Sequence, residues 1–128
     1  MPMTTVAELM STDLVSVGSS DTLAEAASVM ARRRVGSVLI IASGRLIGIL
    51  TERDIVRAIS QDVSAPNDPV ADWMTKSPTT VGPADSLESA LSRMQAGHFR
   101  HLPVVQEDEL IGMLSMRDLV TNGLSEAR

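Results

Sequence analysis

The stretch from Val6 to Ile59 returns, without a gap, as the stretch from Val70 to Gly123. With Val6 laid on Val70, GILTERDIV (Gly48 to Val56) falls on GMLSMRDLV (Gly112 to Val120), and SVGSSDTLAEAASVM (Ser16 to Met30) falls on TVGPADSLESALSRM (Thr80 to Met94). About 16 of roughly 54 aligned positions are identical, against about three or four expected by chance. Such a chain is restricted to folds in which one unit is built twice. Two copies of a unit are expected to pair about a pseudo-twofold axis with a cleft between them, each offering the cleft the same groups.

The first copy opens with a short helix from Val6 to about Met10. Thr5 and Glu8 stand at capping-box spacing, where hydroxyl and carboxylate each meet an orphan backbone N–H. A strand near Leu14 to Val17 follows. Thr22, with Glu25 three residues on, starts a helix to about Arg33 whose apolar positions Leu23, Ala26, Ala27 and Met30 share one face. Ser37 to Ala42 and Leu46 to Leu50 are β-branched apolar runs separated by Ser43-Gly44-Arg45, the pattern of a hairpin. A last helix begins at Thr51 or Glu52 and carries Ile55, Val56 and Ile59 on one side. The unit thus reads α-β-α-β-β-α. Its strands are too uniformly apolar for a sheet with one wet face, so helices or the other copy must cover them. Residues 1–60 form the first repeat, 61–69 (rich in Pro, Asn, Asp and Ser) a linker, and 70–128 the second repeat, with Gly97 and Gly123 suited to cap helix C-termini.

With 128 residues, the chain can bury roughly two-thirds of its unfolded surface. Net charge is −5, Trp73 and Phe99 are the only aromatics, and Lys76 is the only lysine. A nucleic-acid partner normally needs a basic face or stacking platforms, and neither is present. There is no cysteine, so disulfides and thiolate metal sites are excluded. No apolar run reaches the ~18–20 residues of a membrane span, and MPMTTVAELM lacks the layout of a signal peptide. A cytoplasmic location is the expectation.

The paired copies, the order of elements and the motif G-h-h-[ST]-x-x-D before the last helix resemble the cystathionine-β-synthase (CBS) domain, tandem pairs of which form Bateman modules. The resemblance implies an α/β (α+β) fold of two repeats packed sheet to sheet with pseudo-twofold symmetry. It covers nearly the whole chain and so implies a stand-alone module without a fused enzyme or transporter. Members of the family commonly bind AMP, ADP, ATP, NAD or S-adenosylmethionine between the copies, and some have no known ligand.

By the same resemblance, Asp54 and Asp118 match ribose-binding aspartates. A carboxylate can accept from both ribose hydroxyls, each charge-assisted bond being worth ~1.5–3 kcal/mol. Thr51 and Ser115 match phosphate-side hydroxyls at helix starts, where free N–H groups favour an anion. Arg34, Arg100 and His101 occupy places where basic residues face phosphate. The base of a nucleotide held by Asp118 is expected against Leu14, Val15 and Val35 with Met113. That of one held by Asp54 is expected against Pro78, Thr79 and Phe99 with Ile49. Gly36-Ser37 aligns with Arg100-His101, so the Asp118 site is expected to prefer the more phosphorylated ligand.

Plainer readings stand beside these. Thr51-x-x-Asp54 and Ser115-x-x-Asp118 also serve as N-caps. The arginines at 32–34 suit a solvated helix C-terminus. His98-x-x-His101 lacks a third ligand, so no metal is expected, and Trp73 reads as core filler. No catalytic motif is present, and an enzyme is not expected. The expected function is a regulatory module that needs no cofactor, senses an adenine nucleotide and signals to a downstream protein, as a homodimer. The alternative is a ligand-free dimerisation scaffold, with Ile55, Ile59 and Leu119 supplying apolar surface.

Overall fold

The computed structural model describes residues 4–122. Gly123, one of the two expected glycine caps, lies outside them. In chain order the elements are α1 (Val6–Leu9), β1 (Ser16–Gly18), α2 (Leu23–Arg33), β2 (Ser37–Ala42), β3 (Arg45–Thr51), α3 (Glu52–Gln61), β4 (Thr75–Lys76), α4 (Leu87–Gly97), β5 (His101–Gln106), β6 (Glu109–Ser115) and α5 (Met116–Thr121). The expected mixed α/β order is present. No helix among the described residues is long and apolar enough to cross a membrane.

The helix starts follow from their caps. Thr22 caps α2, its hydroxyl accepting from Glu25 N–H while Glu25 Oε1 accepts from Thr22 N–H at 3.1 Å. At α1, Thr5 N–H donates to Glu8 Oε2 at 2.8 Å. The counterpart of α1 in the second copy is a single 3₁₀ turn, Val70–Asp72. Its cap position holds Pro69, which offers no side-chain acceptor for the free N–H groups of an α-helical first turn.

Two helices end in the left-handed region. Arg34 caps α2 at φ 56° and His98 caps α4 at φ 59°. Gly97 is therefore the last helical residue rather than the expected cap. Its bareness has a different use: a Cβ there would collide with the Phe99 ring. Both hairpins close through two-residue turns with positive φ, Ser43-Gly44 at 52° and 75° and Glu107-Asp108 at 51° and 66°, the type I′ geometry that matches strand twist.

The chain forms two compact units that cut across the sequence repeats. One, the mid-chain unit, is Val15–Pro78. The other, the terminal unit, joins residues up to Leu14 with those from Thr79 onward.

In the mid-chain unit the sheet order is β1-β2-β3-β4, with β1 parallel to β2 and the remaining pairs antiparallel. Val15, Leu23, Ala26, Met30, Val38, Ile40, Leu50, Ala58, Ala65 and Val70 form its core. Fully burying a Val or Leu side chain contributes roughly 1.5–3 kcal/mol. The expected linker supplies Ala65 to this core, and Trp73 packs on it while its Nε1–H donates to Asp68 Oδ2 at 3.0 Å. Core filling accounts for that tryptophan.

In the terminal unit β5 pairs with β6, and single bridges stand where the other unit has edge strands. Val81 lies parallel to Val104, and Ser11 lies antiparallel to Met113. These match Val17 with Ile40 and Thr75 with Ile49 in the mid-chain unit. The core holds Val6, Val81, Leu87, Ala90, Leu91, Met94, Leu102, Val104, Leu114, Met116 and Leu119. The opening segment of each repeat thus completes the sheet built by the body of the other. Met10 lies over Gly112 and Met74 over Gly48, leaving no room for a Cβ at either glycine.

The last helices depart from expectation in which faces they bury. On α3 the inward positions are Asp54 and Ala58, with Ile55 half-buried, while Val56 is 68% and Ile59 42% exposed. On α5, Leu119 is fully buried and so offers no docking surface, whereas Val120 is exposed. The 3.6-residue turn separates adjacent apolar residues by ~100°, so Leu119 and Val120 cannot share a face.

Candidate functional site

The two [ST]-x-x-D motifs lie at the same place in each unit, where the second hairpin strand turns into its helix. Strand β3 ends at Thr51, which caps α3, and β6 ends at Ser115, which caps α5. The turn is held from the facing strand as well. Glu52 N–H donates to the Gly36 carbonyl at 3.0 Å, and Met116 N–H to the Arg100 carbonyl at 2.8 Å.

Within the motifs the capping reading is realised. Asp54 Oδ2 accepts from Thr51 N–H at 2.9 Å, and Thr51 Oγ1 accepts from Asp54 N–H at 3.2 Å. Asp118 Oδ2 accepts from both the Ser115 N–H and the Ser115 hydroxyl at 2.9 Å, and Ser115 Oγ accepts from Asp118 N–H at 3.3 Å. Each carboxylate therefore spends one oxygen on its own helix start.

The second oxygens differ. Asp54 Oδ1 accepts from Arg57 Nη2 at 3.2 Å, one helical turn along α3. Among the described residues Asp118 Oδ1 takes no such bond, and Thr121 stands where the first copy has Arg57. Asp54 is buried, at 8% exposure, and Asp118 is half-buried. Arg57 was missed by sequence reading, although its i, i+3 spacing from Asp54 is the signal for such a pair.

The remaining candidates divide between the units. In the terminal unit, His101 is the register partner of Ser115 across β5 and β6. Directly opposed residues project to the same face, so the half-buried imidazole stands beside the Ser115–Asp118 motif. Arg100 precedes it and is exposed. Met113 lies two residues upstream on β6, its backbone bonded in both directions to Ser11, three residues before Leu14. Phe99 packs on the core of this unit, and Thr79 is exposed.

In the mid-chain unit, Ser37 is the register partner of Thr51 and is buried, so no imidazole stands there. Arg34 is exposed as the α2 cap. Ile49 and Val15 are buried, the Val15 carbonyl accepts from Leu39 N–H at 2.9 Å, and Val35 and Pro78 are half-buried. Of the residues expected around Asp118, the terminal unit thus holds Leu14, Arg100, His101, Met113 and Ser115, while Val15 and Val35 belong to the other unit. Of those expected around Asp54, the mid-chain unit holds Arg34, Ile49, Thr51 and Pro78, while Thr79 and Phe99 belong to the terminal unit.

An oxygen-only acceptor fixed at a helix start, with an imidazole and a guanidinium-bearing residue at the adjoining strand end, suits a ligand carrying vicinal hydroxyls and an anionic group.

Known proteins share this fold. CBS domain-containing protein YhcV of Bacillus subtilis is 32% identical over 123 residues, a match spanning 96% of this chain and 88% of that one. The crystal structure of a CBS-domain protein from Agrobacterium tumefaciens superposes with a TM-score of 0.90 at 30% identity, covering 95% of each chain. That of CBSX2 in complex with AMP superposes with a TM-score of 0.81 at 26% identity, covering 97% of this chain and 98% of that one. The CBS domain model matches residues 6–61 and again 70–124, and the chain belongs to the CBS-domain family.

Proposed function

We propose that this chain is a non-catalytic regulatory module that senses an adenine nucleotide (AMP, ADP, ATP or NAD) and passes its state to a downstream protein in the cytoplasm. The observation that carries the reading is the Asp118 carboxylate. One oxygen is fixed by Ser115, the other is left without a partner among the described residues, and His101 stands across the strand pair. That is an acceptor for ribose hydroxyls beside a donor for phosphate. The AMP complex of a 26% identical structure supports the choice of ligand class. Asp54 and Thr51 form the corresponding second site. No cofactor or metal is required.

Micromolar affinity, about −8 kcal/mol, is within reach of one ribose carboxylate, one or two phosphate donors and a covered base. Calorimetry with AMP, ADP, ATP and NAD tests the reading. Asp118→Ala is expected to weaken the tightest of these by roughly 10- to 100-fold, the loss of one or two charged hydrogen bonds. Asp118→Asn, which keeps a capping oxygen, controls for folding. Binding of none of the four compounds refutes the proposal, and unchanged affinity in Asp118→Ala removes that residue from the site.

A homodimer belongs to the same proposal, since Val56, Ile59 and Val63 leave apolar surface exposed along α3 and just past its end. The exposed residues equally favour a scaffold whose sites stay empty. Thermal shift separates the two. Ligand at ~100 times Kd adds ~2.7 kcal/mol to a sensor and nothing to an empty scaffold.

A further inference from the structure

The duplicated sites are chemically unequal at one residue that the motif does not include. Both oxygens of Asp54 are engaged, Oδ2 by Thr51 N–H at 2.9 Å and Oδ1 by Arg57 Nη2 at 3.2 Å. The matching position in the second copy is Thr121, which has no cation to offer, and Asp118 carries both its Ser115 bonds on Oδ2 alone. Among the described residues Asp118 Oδ1 takes no bond, so a ribose hydroxyl arriving there finds an open acceptor. One arriving at Asp54 must share Oδ1 with a guanidinium or displace it.

We infer that Arg57 is an internal competitor for the ligand-facing oxygen of Asp54, so that the Ser115–Asp118 site fills first and the Thr51–Asp54 site responds only at higher nucleotide concentration. The inference rests on the sensing role proposed above and adds to it an order of filling and the residue that sets it. A module with two staggered thresholds reports a wider range of ligand concentration than one with two equal sites.

The size of the effect follows from the pair. The Arg57 side chain is 58% exposed and Asp54 9%. An i, i+3 ion pair with one partner in solvent is weak, and displacing it costs about 3- to 5-fold in affinity. Arg57→Thr, which installs the residue of the second copy, removes the competitor. Asp118→Ala isolates the Asp54 site so that its affinity can be read alone, with Asp118→Asn in reserve if the alanine variant does not melt cooperatively.

The experiment is calorimetry with AMP on wild type, Asp54→Ala, Asp118→Ala and Asp118→Ala/Arg57→Thr. The double variant is expected to bind about 3- to 5-fold more tightly than Asp118→Ala, and Asp54→Ala is expected to keep the tighter site of the wild type within about 2-fold. Equal or weaker binding by the double variant overturns the inference, weaker binding showing that Arg57 serves the phosphate instead. Loss of the tighter site in Asp54→Ala overturns it as well. A wild type that binds no AMP, ADP, ATP or NAD refutes the sensing role itself, a result distinct from either.

Discussion

Gly48→Ala tests the packing by which an opening segment is held to the body of the other repeat. Gly48 is buried in β3, between Ile40 on β2 and Lys76 on β4. An added Cβ would overlap the Met74 sulfur and lie 2.9 Å from Met74 Cγ and 3.0 Å from the Thr75 carbonyl oxygen. The methionine can swing aside. The carbonyl cannot move without disturbing the β3–β4 pairing. Overpacking of this kind costs ~1–3 kcal/mol, and the better strand propensity of alanine offsets ~0.5–1 kcal/mol of it. The net loss is about 0–2.5 kcal/mol, a fall in Tm of up to roughly 12 °C for a chain of this size. Denaturant melts of Gly48→Ala, Met74→Ala and the double variant form a cycle. Because Met74 supplies the closest overlap, the double variant is expected to lose about 0.5–2 kcal/mol less than the two single losses added. Gly44→Ala is the contrast: nothing lies within 4 Å of its Cβ, yet φ is +75°, so it loses about 1 kcal/mol to backbone strain with no coupling to Met74. A Gly48→Ala protein more stable than wild type, or a strictly additive cycle, refutes the packing argument.

Two further expectations concern turns. Asp108 adopts φ +66° in the β5–β6 turn, where the first copy has Gly44. Asp108→Gly is expected to raise stability by a few tenths to about 1 kcal/mol by removing that strain, and a denaturant melt showing a loss would count against the strain. After α3, the Ser64 hydroxyl, at 2.7 Å, and then the Ser64 N–H, at 2.9 Å, donate to Asp62 Oδ1 and hold its carboxyl below the usual 3.8. A folded pKa below the unfolded one stabilises the fold above the unfolded value, and that contribution disappears as pH falls through the folded one. Carboxyl NMR titration should place the midpoint below 3.8, with Ser64→Ala returning it part of the way because the backbone donor remains. A wild-type midpoint at or above that value contradicts the turn geometry.

Much of the fold was legible because it rests on local chemistry. Capping pairs, apolar periodicity and the hairpin turn at Ser43-Gly44 each act over a few residues, whereas the matching turn at Glu107-Asp108 contains no glycine to mark it. Helix faces were less legible where apolar residues adjoin. Leu119-Val120 and Ile55-Val56 each contain an inward and an outward side chain, and composition does not say which is which. The αL position after α4 went to His98 because Gly97 was needed bare beneath Phe99. That choice depends on where the ring two residues further along comes to lie. At the candidate sites the [ST]-x-x-D motifs identified the carboxylates. Whether a carboxylate keeps one oxygen without a bond depends on its rotamer and on the residue three positions along the helix.

The exchange of opening segments lay beyond sequence reading for a deeper reason. Two nearly equivalent copies make self-pairing and exchanged pairing look alike, because Met10 and Met74 occupy matched positions, as do Gly48 and Gly112. Chain reach decides between them. Met74 follows the mid-chain body by a short connection whose Ala65 and Val70 are already fixed in its core, so it meets Gly48 locally. Met10 is left for Gly112, about a hundred residues further along the chain. The sheet edge of the terminal unit therefore joins residues about a hundred positions apart, and its closure entropy is only logarithmically larger than that of the mid-chain edge. Duplication supplies each body with the same glycine groove and methionine plug, and the order in which the chain can reach them assigns the partners.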